Sequence, residues 1–293
     1  MNSYLPPPLK PGDLLKVIAP SGALREIEAF ERGVEIWRSH GYKVEISKSI
    51  GDRFGYLAGK DSDRCKQLSE AWNDPKCKGI LCARGGYGSA RILENWTWGN
   101  DSKWLIGFSD ITCLLWSLYR QGKSSVHGAV LTTLATEPDW SIERLFNLVE
   151  GRPLAPLQGT GWGGGIATGI LLPANLTVAT HLLGTPLQPN LDGVILAIED
   201  VTEAPYRIDR LLTQWRLSGA LAKVKGIALG RFSRCEAPEH LPSMTIDEVL
   251  RDRLSDLNIP IVSNLPFGHD GCNAALPVGL PATLDAEQGI LAI

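Results

Sequence analysis

Leu14-Leu15-Lys16-Val17-Ile18-Ala19-Pro20-Ser21-Gly22 is a short, mostly apolar run that stops at a Pro-Ser-Gly turn. A run of that length bounded by turn residues reads as a buried strand leaving a sheet. Glu26 to Gly41 follows with Ile27, Phe30, Val34 and Trp37 at three- and four-residue steps, so it predicts a helix with one buried face that stops at Gly41. Tyr42 to Ile46 alternates as a strand does. Asp61 to Asn73 then reads as a helix, Gly79 to Ala83 (GILCA) as a strand, Ser89 to Asn95 as a short helix, Trp104 to Phe108 (WLIGF) as a strand and Asp110 to Tyr119 as a helix. Strands alternating with helices of this length predict an α/β fold, with a parallel sheet covered on both faces.

Trp140 to Glu150 has a helical pattern, and Gly151 to Gly169 is dense in glycine and proline, which marks an interdomain linker. The expected division is an amino-terminal domain over residues 1–136, a linker region over 137–166 and a second, smaller α/β domain over 167–293. In that second part Gly193 to Ile198 (GVILAI) and Gly226 to Leu229 read as strands, with Asp209 to Ser218 a helix between them. No internal repeat suggests a solenoid or propeller.

The 293 residues are 44% hydrophobic and 21% charged, ordinary globular usage that excludes disordered and fibrous classes. Lys and Arg total 29 against 32 for Asp and Glu without a basic block, so the footprint of a nucleic-acid binder is missing and a small molecule or peptide is the expected partner. Met1 to Pro11 is proline-rich rather than signal-like, and every apolar run is too short to span a bilayer. These features predict a cytoplasmic protein without membrane association. Six cysteines, Cys65, Cys77, Cys82, Cys113, Cys235 and Cys272, form no C-x-x-C pair, so reduced, mostly buried thiols are expected rather than a zinc or redox site. No cofactor and no metal is expected.

Ser109 follows an apolar strand and is followed at once by Asp110 and a helical pattern. It therefore sits in a strand-to-helix turn at the carboxyl end of the sheet, where α/β folds place ligands and where helix-start N–H groups can meet an oxyanion. Serine is equally a preferred N-cap, and the run alone leaves nucleophile and cap open. The G-x-S-x-G pattern of α/β-hydrolases is absent, because Ile111 stands at the second glycine. Arg84-Gly85-Gly86-Tyr87-Gly88-Ser89 also joins a strand to a helix and could offer N–H groups to an anion. A dinucleotide fingerprint fails there, since Arg91 occupies its last glycine position.

A nucleophilic serine needs a base. His269, in the glycine-rich loop Leu265-Pro266-Phe267-Gly268-His269-Asp270-Gly271, is the first candidate and His127 the second. His181 lies in an apolar helical pattern and is expected to pack, whereas His40 and His240 sit among polar residues. Glu199 and Asp200 end the strand GVILAI and Glu203 follows, so a rigidly held carboxylate is available to orient the base. A salt bridge to Arg207 or Arg210 is an equal alternative for Asp200 and Glu203.

Together these pieces resemble the LD-carboxypeptidases, the serine peptidases that include the muropeptide LD-carboxypeptidase and the microcin C immunity peptidases. The resemblance covers nearly the whole chain. It is carried by Ile18-Ala19-Pro20-Ser21-Gly22, Arg84 to Gly88, Gly107-Phe108-Ser109-Asp110, His127-Gly128, Glu199-Asp200-Val201 with Pro205 to Arg210, and Pro266-Phe267-Gly268-His269. It implies a Ser109, Glu199, His269 triad and an oxyanion hole from the backbone N–H groups of Asp110 and Gly86, with Glu203 as the rival acid. It also implies a Rossmann-like amino-terminal domain carrying the serine, a smaller domain carrying acid and base, no metal, and a homodimer. Pro173-Ala174-Asn175-Leu176 stands where the family's Gly-Gly-Asn-Leu is expected, so backbone contacts there can differ.

The implied activity is release of D-alanine from a murein tetrapeptide in cell-wall recycling. The alternatives are a microcin-type peptidase cleaving a peptidyl or aminoacyl nucleotide, and a non-catalytic peptide-binding protein. An aromatic platform between Pro205 and Pro242 would favour a nucleobase, but Trp215 and Phe232 are expected in the core.

Overall fold

The structure is a computed structural model that describes residues 4–162, 164–238, 240 and 242–293. Residues 1–3 of the proline-rich start lie outside them, as do position 163 of the predicted linker and positions 239 and 241 of the Pro205–Pro242 stretch. The chain forms two compact units, Met1–Pro153 with Ala274–Gly279, and Leu154–Asn273 with Leu280–Ile293.

The first unit runs β1 (Leu14–Ile18), α1 (Ile27–Ser39), β2 (Lys43–Ile46), α2 (Asp61–Trp72), β3 (Cys77–Cys82), α3 (Ser89–Ile92), β4 (Trp104–Gly107), α4 (Thr112–Arg120), β5 (Ser125–His127), α5 (Leu131–Leu134) and α6 (Asp139–Val149). β1 pairs in parallel with β2 and β3, β3 with β4, and β4 with β5. The strand order is therefore 2-1-3-4-5, a doubly wound parallel sheet whose order reverses between β1 and β3. β3 and β4 are buried at nearly every position, as expected of strands covered on both faces. α1 buries Phe30, Val34 and Trp37, three of the four apolar positions of the predicted stripe, and Ile27 is exposed. α4 buries seven of its nine residues, so it packs as an interior helix.

The second unit contains β6 (Leu157–Gln158), β7 (Thr160–Trp162), β8 (Ile166–Asn175), α7 (Leu176–Leu182), β9 (Val194–Val201), α8 (Pro205–Leu217), β10 (Gly226–Ser233), α9 (Ile246–Leu254) and β11 (Ile261–Ser263). β12 (Leu276–Val278) pairs antiparallel with β5 of the first unit, and β13 (Pro281–Asp285) and β14 (Ile290–Ala292) return to the second. The second sheet has the order β6-β14-β13-β8-β9-β10-β11-β7, parallel from β8 to β11 and antiparallel outside.

The glycine-rich stretch 151–169 contains the boundary between the two units, at Pro153 and Leu154, and also β6, β7 and the start of β8. Its glycines permit close backbone approach: a Cβ at Gly161 would lie 1.8 Å from Ala286 O and one at Gly159 2.4 Å from Ser263 O. Pro173 pairs with Ala197 beyond the stretch of β8 that β13 covers, so a missing N–H is tolerated there. Among the described residues no two cysteines form a disulfide. Burial pushes Cys113 up to about 12 and Cys235 up to about 11, so both are protonated at neutral pH. Among the described residues no helix is long and apolar enough to cross a membrane.

Candidate active site

The strand order reverses between β1 and β3, the kind of place where α/β sheets bind ligands, and the turns that leave the carboxyl ends of these strands are Pro20-Ser21-Gly22 and Gly85 to Gly88. They touch: Gly22 N–H donates to Gly85 O at 3.1 Å, and a Cβ on Gly22 would sit 3.0 Å from that oxygen. Ser109 leaves β4, the next strand over, with φ +63°, the left-handed conformation that costs a non-glycine residue about 1 kcal/mol. A strained strand-to-helix turn of this kind projects a hydroxyl above a sheet. Ser109 opens a one-turn 3-10 helix over residues 109–111, and neither that turn nor α4 has a side-chain cap. The capping alternative is therefore not realised. Gly85 lies against the hydroxyl, since a Cβ on it would be 3.2 Å from Ser109 Oγ.

Asp110 is buried and acts as an anchor. Its Oδ2 accepts from Ser21 Oγ at 2.5 Å and from Ser89 N–H at 2.8 Å, and its carbonyl accepts from the Ser89 hydroxyl. Gly86 has φ +110°, which reserves that position for glycine. Gly86 follows β3 and Asp110 follows β4, so both lie beyond the carboxyl ends of neighbouring parallel strands.

In the second unit β9 carries Glu199 and Asp200 to the end of the parallel strands, with Asn175 of β8 opposite Glu199. Glu199 is fully buried, and its Oε2 accepts from His269 Nδ1–H at 2.6 Å. A carboxylate can only accept, so this contact fixes the proton on Nδ1 and leaves Nε2 as the basic nitrogen of the neutral ring. Asn175 caps α7 by accepting from Val178 N–H at 3.0 Å, which turns its Nδ2 toward Glu199 Oε1 (3.3 Å) and Asp200 Oδ1 (3.0 Å). Asp200 also accepts from Thr177 N–H and Oγ1 and from Val201 N–H. Burial, then the neighbouring Glu199 charge, pushes Asp200 up to about 6 despite these bonds. The alternative of a salt bridge to Arg207 or Arg210 does not hold for Asp200. It holds for Glu203, which faces Arg207 at 3.5 Å.

The loop that carries His269 is built against β10. Arg231 N–H donates to Phe267 O at 2.8 Å, Gly268 with φ +136° presses on the Arg231 backbone, and Arg231 pairs with Asp270 at 3.4 Å. His127 is buried in β5, edge-on to Phe108. His181, expected to pack, is exposed: α7 buries Leu176, Ala179 and Leu182, and position 181 falls on the opposite side. Trp215 is core as expected, whereas Phe232 is half-buried. The roles of Asn175 and Asp200 escaped the sequence reading, although an asparagine ending a strand before a helix is a capping signal. Among the described residues no group of three or more His, Cys, Asp or Glu is placed to hold a metal ion.

Residues 15–128 match the LD-carboxypeptidase N-terminal domain and residues 168–284 the LD-carboxypeptidase C-terminal domain. The chain is 60% identical over 292 residues, 99% of itself and 97% of the other, to a Synechocystis sp. protein provisionally named a carboxypeptidase. It is 32% identical over 290 residues, 93% of either chain, to the murein tetrapeptide carboxypeptidase of Pseudomonas aeruginosa. The solved muramoyltetrapeptide carboxypeptidase from Oxalobacter formigenes superposes with TM-score 0.82 at 30% identity, covering 95% of this chain and 97% of that one. The microcin C7 self-immunity protein MccF, at TM-score 0.86 and 22% identity over 99% and 98%, shares the fold. Two α/β units with these likenesses define a carboxypeptidase of the serine-peptidase class. The chain belongs to the LD-carboxypeptidase family.

Proposed function

We propose that this carboxypeptidase releases the terminal D-alanine of a murein tetrapeptide through a Ser109, His269, Glu199 triad. The observation that carries the reading is the 2.6 Å bond from His269 Nδ1 to a fully buried Glu199. A base oriented by a buried carboxylate is the arrangement that activates a serine. Its complement is Ser109, held in a left-handed turn above the first sheet. Ser109 Oγ attacks the carbonyl before the terminal residue as its proton passes to His269 Nε2. The tetrahedral oxyanion is met by the N–H groups of Gly86 and Asp110, and collapse expels the D-alanine amine with the proton returned from His269. Water, deprotonated by the same nitrogen, then hydrolyses the acyl-serine. Glu199 remains ionised and stabilises the imidazolium.

Murein-peptide relatives at 30% identity or more support the substrate class. The reading includes a cytoplasmic location and a homodimer, to be checked by cell fractionation and sedimentation. The deciding experiment incubates the purified protein with L-Ala-γ-D-Glu-meso-diaminopimelate-D-Ala and follows free D-alanine by mass spectrometry. Release by the wild type and none by Ser109→Ala is expected; no release, or equal release by the variant, refutes the reading.

A further inference from the structure

We infer that Arg64 is a positioning residue that locks the loops after β1 and β3 in the geometry the oxyanion hole needs. The inference rests on the function proposed above.

Arg64 lies on α2 and is fully buried, an unusual place for a cation. Its Nη1 donates to two main-chain carbonyls, Pro20 O in the loop after β1 and Gly88 O in the loop after β3, the latter at 2.7 Å. Its Nη2 donates to Asp61 Oδ1, and Asp61 is shared with Arg91, which reaches both carboxylate oxygens at 2.6–3.0 Å. One carboxylate serves two guanidinium groups, so the cluster keeps a net positive charge beside the loops. Ion pairing alone does not explain such an arrangement.

The same two loops are held from another side by Asp110. The Gly88–Ser89 peptide unit has its carbonyl on Arg64 and its N–H on Asp110 Oδ2. The Pro20–Ser21 pair has its carbonyl on Arg64 and its serine hydroxyl on the same Oδ2. Asp110 directly follows Ser109, so the clamp spans from the nucleophile's neighbour, across both loops, to a buried guanidinium. Gly86, the proposed oxyanion donor, lies inside the clamped segment. A Cβ on Gly88 would fall 2.6 Å from Arg64 Nη1, so the guanidinium occupies the space a side chain there would need. The 88–89 peptide unit is restrained at its carbonyl by Arg64 and at its N–H by Asp110. Without Arg64, Gly88 at φ +131° has one fewer restraint, and the Gly86 N–H can turn away from the oxyanion.

Lysine would keep the charge but replace a planar fork by a shorter point donor unable to reach both carbonyls and Asp61 together. The test compares Arg64→Lys and Arg64→Ala with wild type in kcat and KM on the tetrapeptide, in thermal unfolding, and in the rate at which a fluorophosphonate labels Ser109. Loss of one oxyanion donor, or a misplacement of about 1 Å, costs on the order of 100-fold. A fall in kcat and in labelling rate of about that size is expected in Arg64→Ala, with KM changed less than about threefold. Guanidinium at non-denaturing concentration is expected to restore about tenfold of the lost kcat in Arg64→Ala, and ammonium to restore none. Folded variants with kcat within about threefold of wild type, loss without guanidinium rescue, or failure of both variants to fold would overturn the positioning role. A wild type that neither hydrolyses the peptide nor labels at Ser109 overturns the parent reading instead, and the inference with it.

Discussion

Gly230 of β10 lies where a single methyl group would report on the loop that carries His269. A Cβ there would be 2.4 Å from Phe267 O and 2.5 and 2.6 Å from two Phe267 ring carbons, and Phe267 is fully buried, so nothing nearby can yield cheaply. An ordinary 3.4 Å contact is restored only if the Phe267 segment withdraws by about 1 Å. That withdrawal stretches the 2.8 Å bond from Arg231 N–H to Phe267 O and carries His269, two residues on, away from Glu199. Overpacking of this kind costs about 1–3 kcal/mol, which at about 2–4 °C per kcal/mol lowers Tm by several degrees. A misplacement of about 1 Å in a catalytic group costs on the order of 100-fold in rate. Gly230→Ala is therefore expected to lose about two decades of kcat on murein tetrapeptide while remaining folded at assay temperature. Phe267→Leu in the same chain reopens the space, and the double variant is expected to recover part of the loss, a coupling that independent sites would not show. A Gly230→Ala enzyme with wild-type Tm and kcat within about threefold would refute the account of how the loop is held.

Two further outcomes separate neighbouring acids. Glu199→Gln keeps the shape but removes the charge and can present the wrong ring tautomer, so kcat is expected to fall about 10⁴-fold, while Glu203→Gln, which breaks a surface pair worth about 0–1 kcal/mol, leaves kcat within about threefold. Equal losses in steady-state assays would contradict the assignment. Asp200 titrates near 6 in the folded chain against about 4 unfolded, so between those values the folded state holds a proton that the unfolded state has released. Stability is expected to decline by roughly 2–3 kcal/mol as pH rises from about 4 to above 6, and then to level. Asp200→Asn should flatten that slope in urea titrations across the range; an unchanged slope would assign it to other groups.

The regular βα units were legible because each depends on local pattern, the stripe in α1 and the apolar runs of β1, β3, β4 and β9, and the candidate residues Ser109, Glu199 and His269 could be named from the ends of such runs and from a glycine-rich loop. Three-residue strands such as β5, β11, β12 and β14 carry too few positions for an alternation to show. The glycines of 151–169 carry the composition of a linker because close backbone contact and flexibility call for the same residue. Arg64 left no local signal, since its burial is decided by carbonyls 24 and 44 residues away. Glu199 and Asp200 point to opposite faces of β9 and are both buried because the strand is covered on both, which a pair of adjacent acids does not announce.

The detour of Ala274–Gly279 bears on how this chain can be cut or made in pieces. A fragment ending at Pro153 would contain every helix of the first unit and still lack β12, which covers the far edge of β5. Ser125, Val126 and His127, all fully buried, would then line a bare sheet edge, the surface on which other chains add strands and precipitate. Ala274–Gly279 is in this sense a seal for the sheet of the first unit. During synthesis that edge stays open until β12 has emerged.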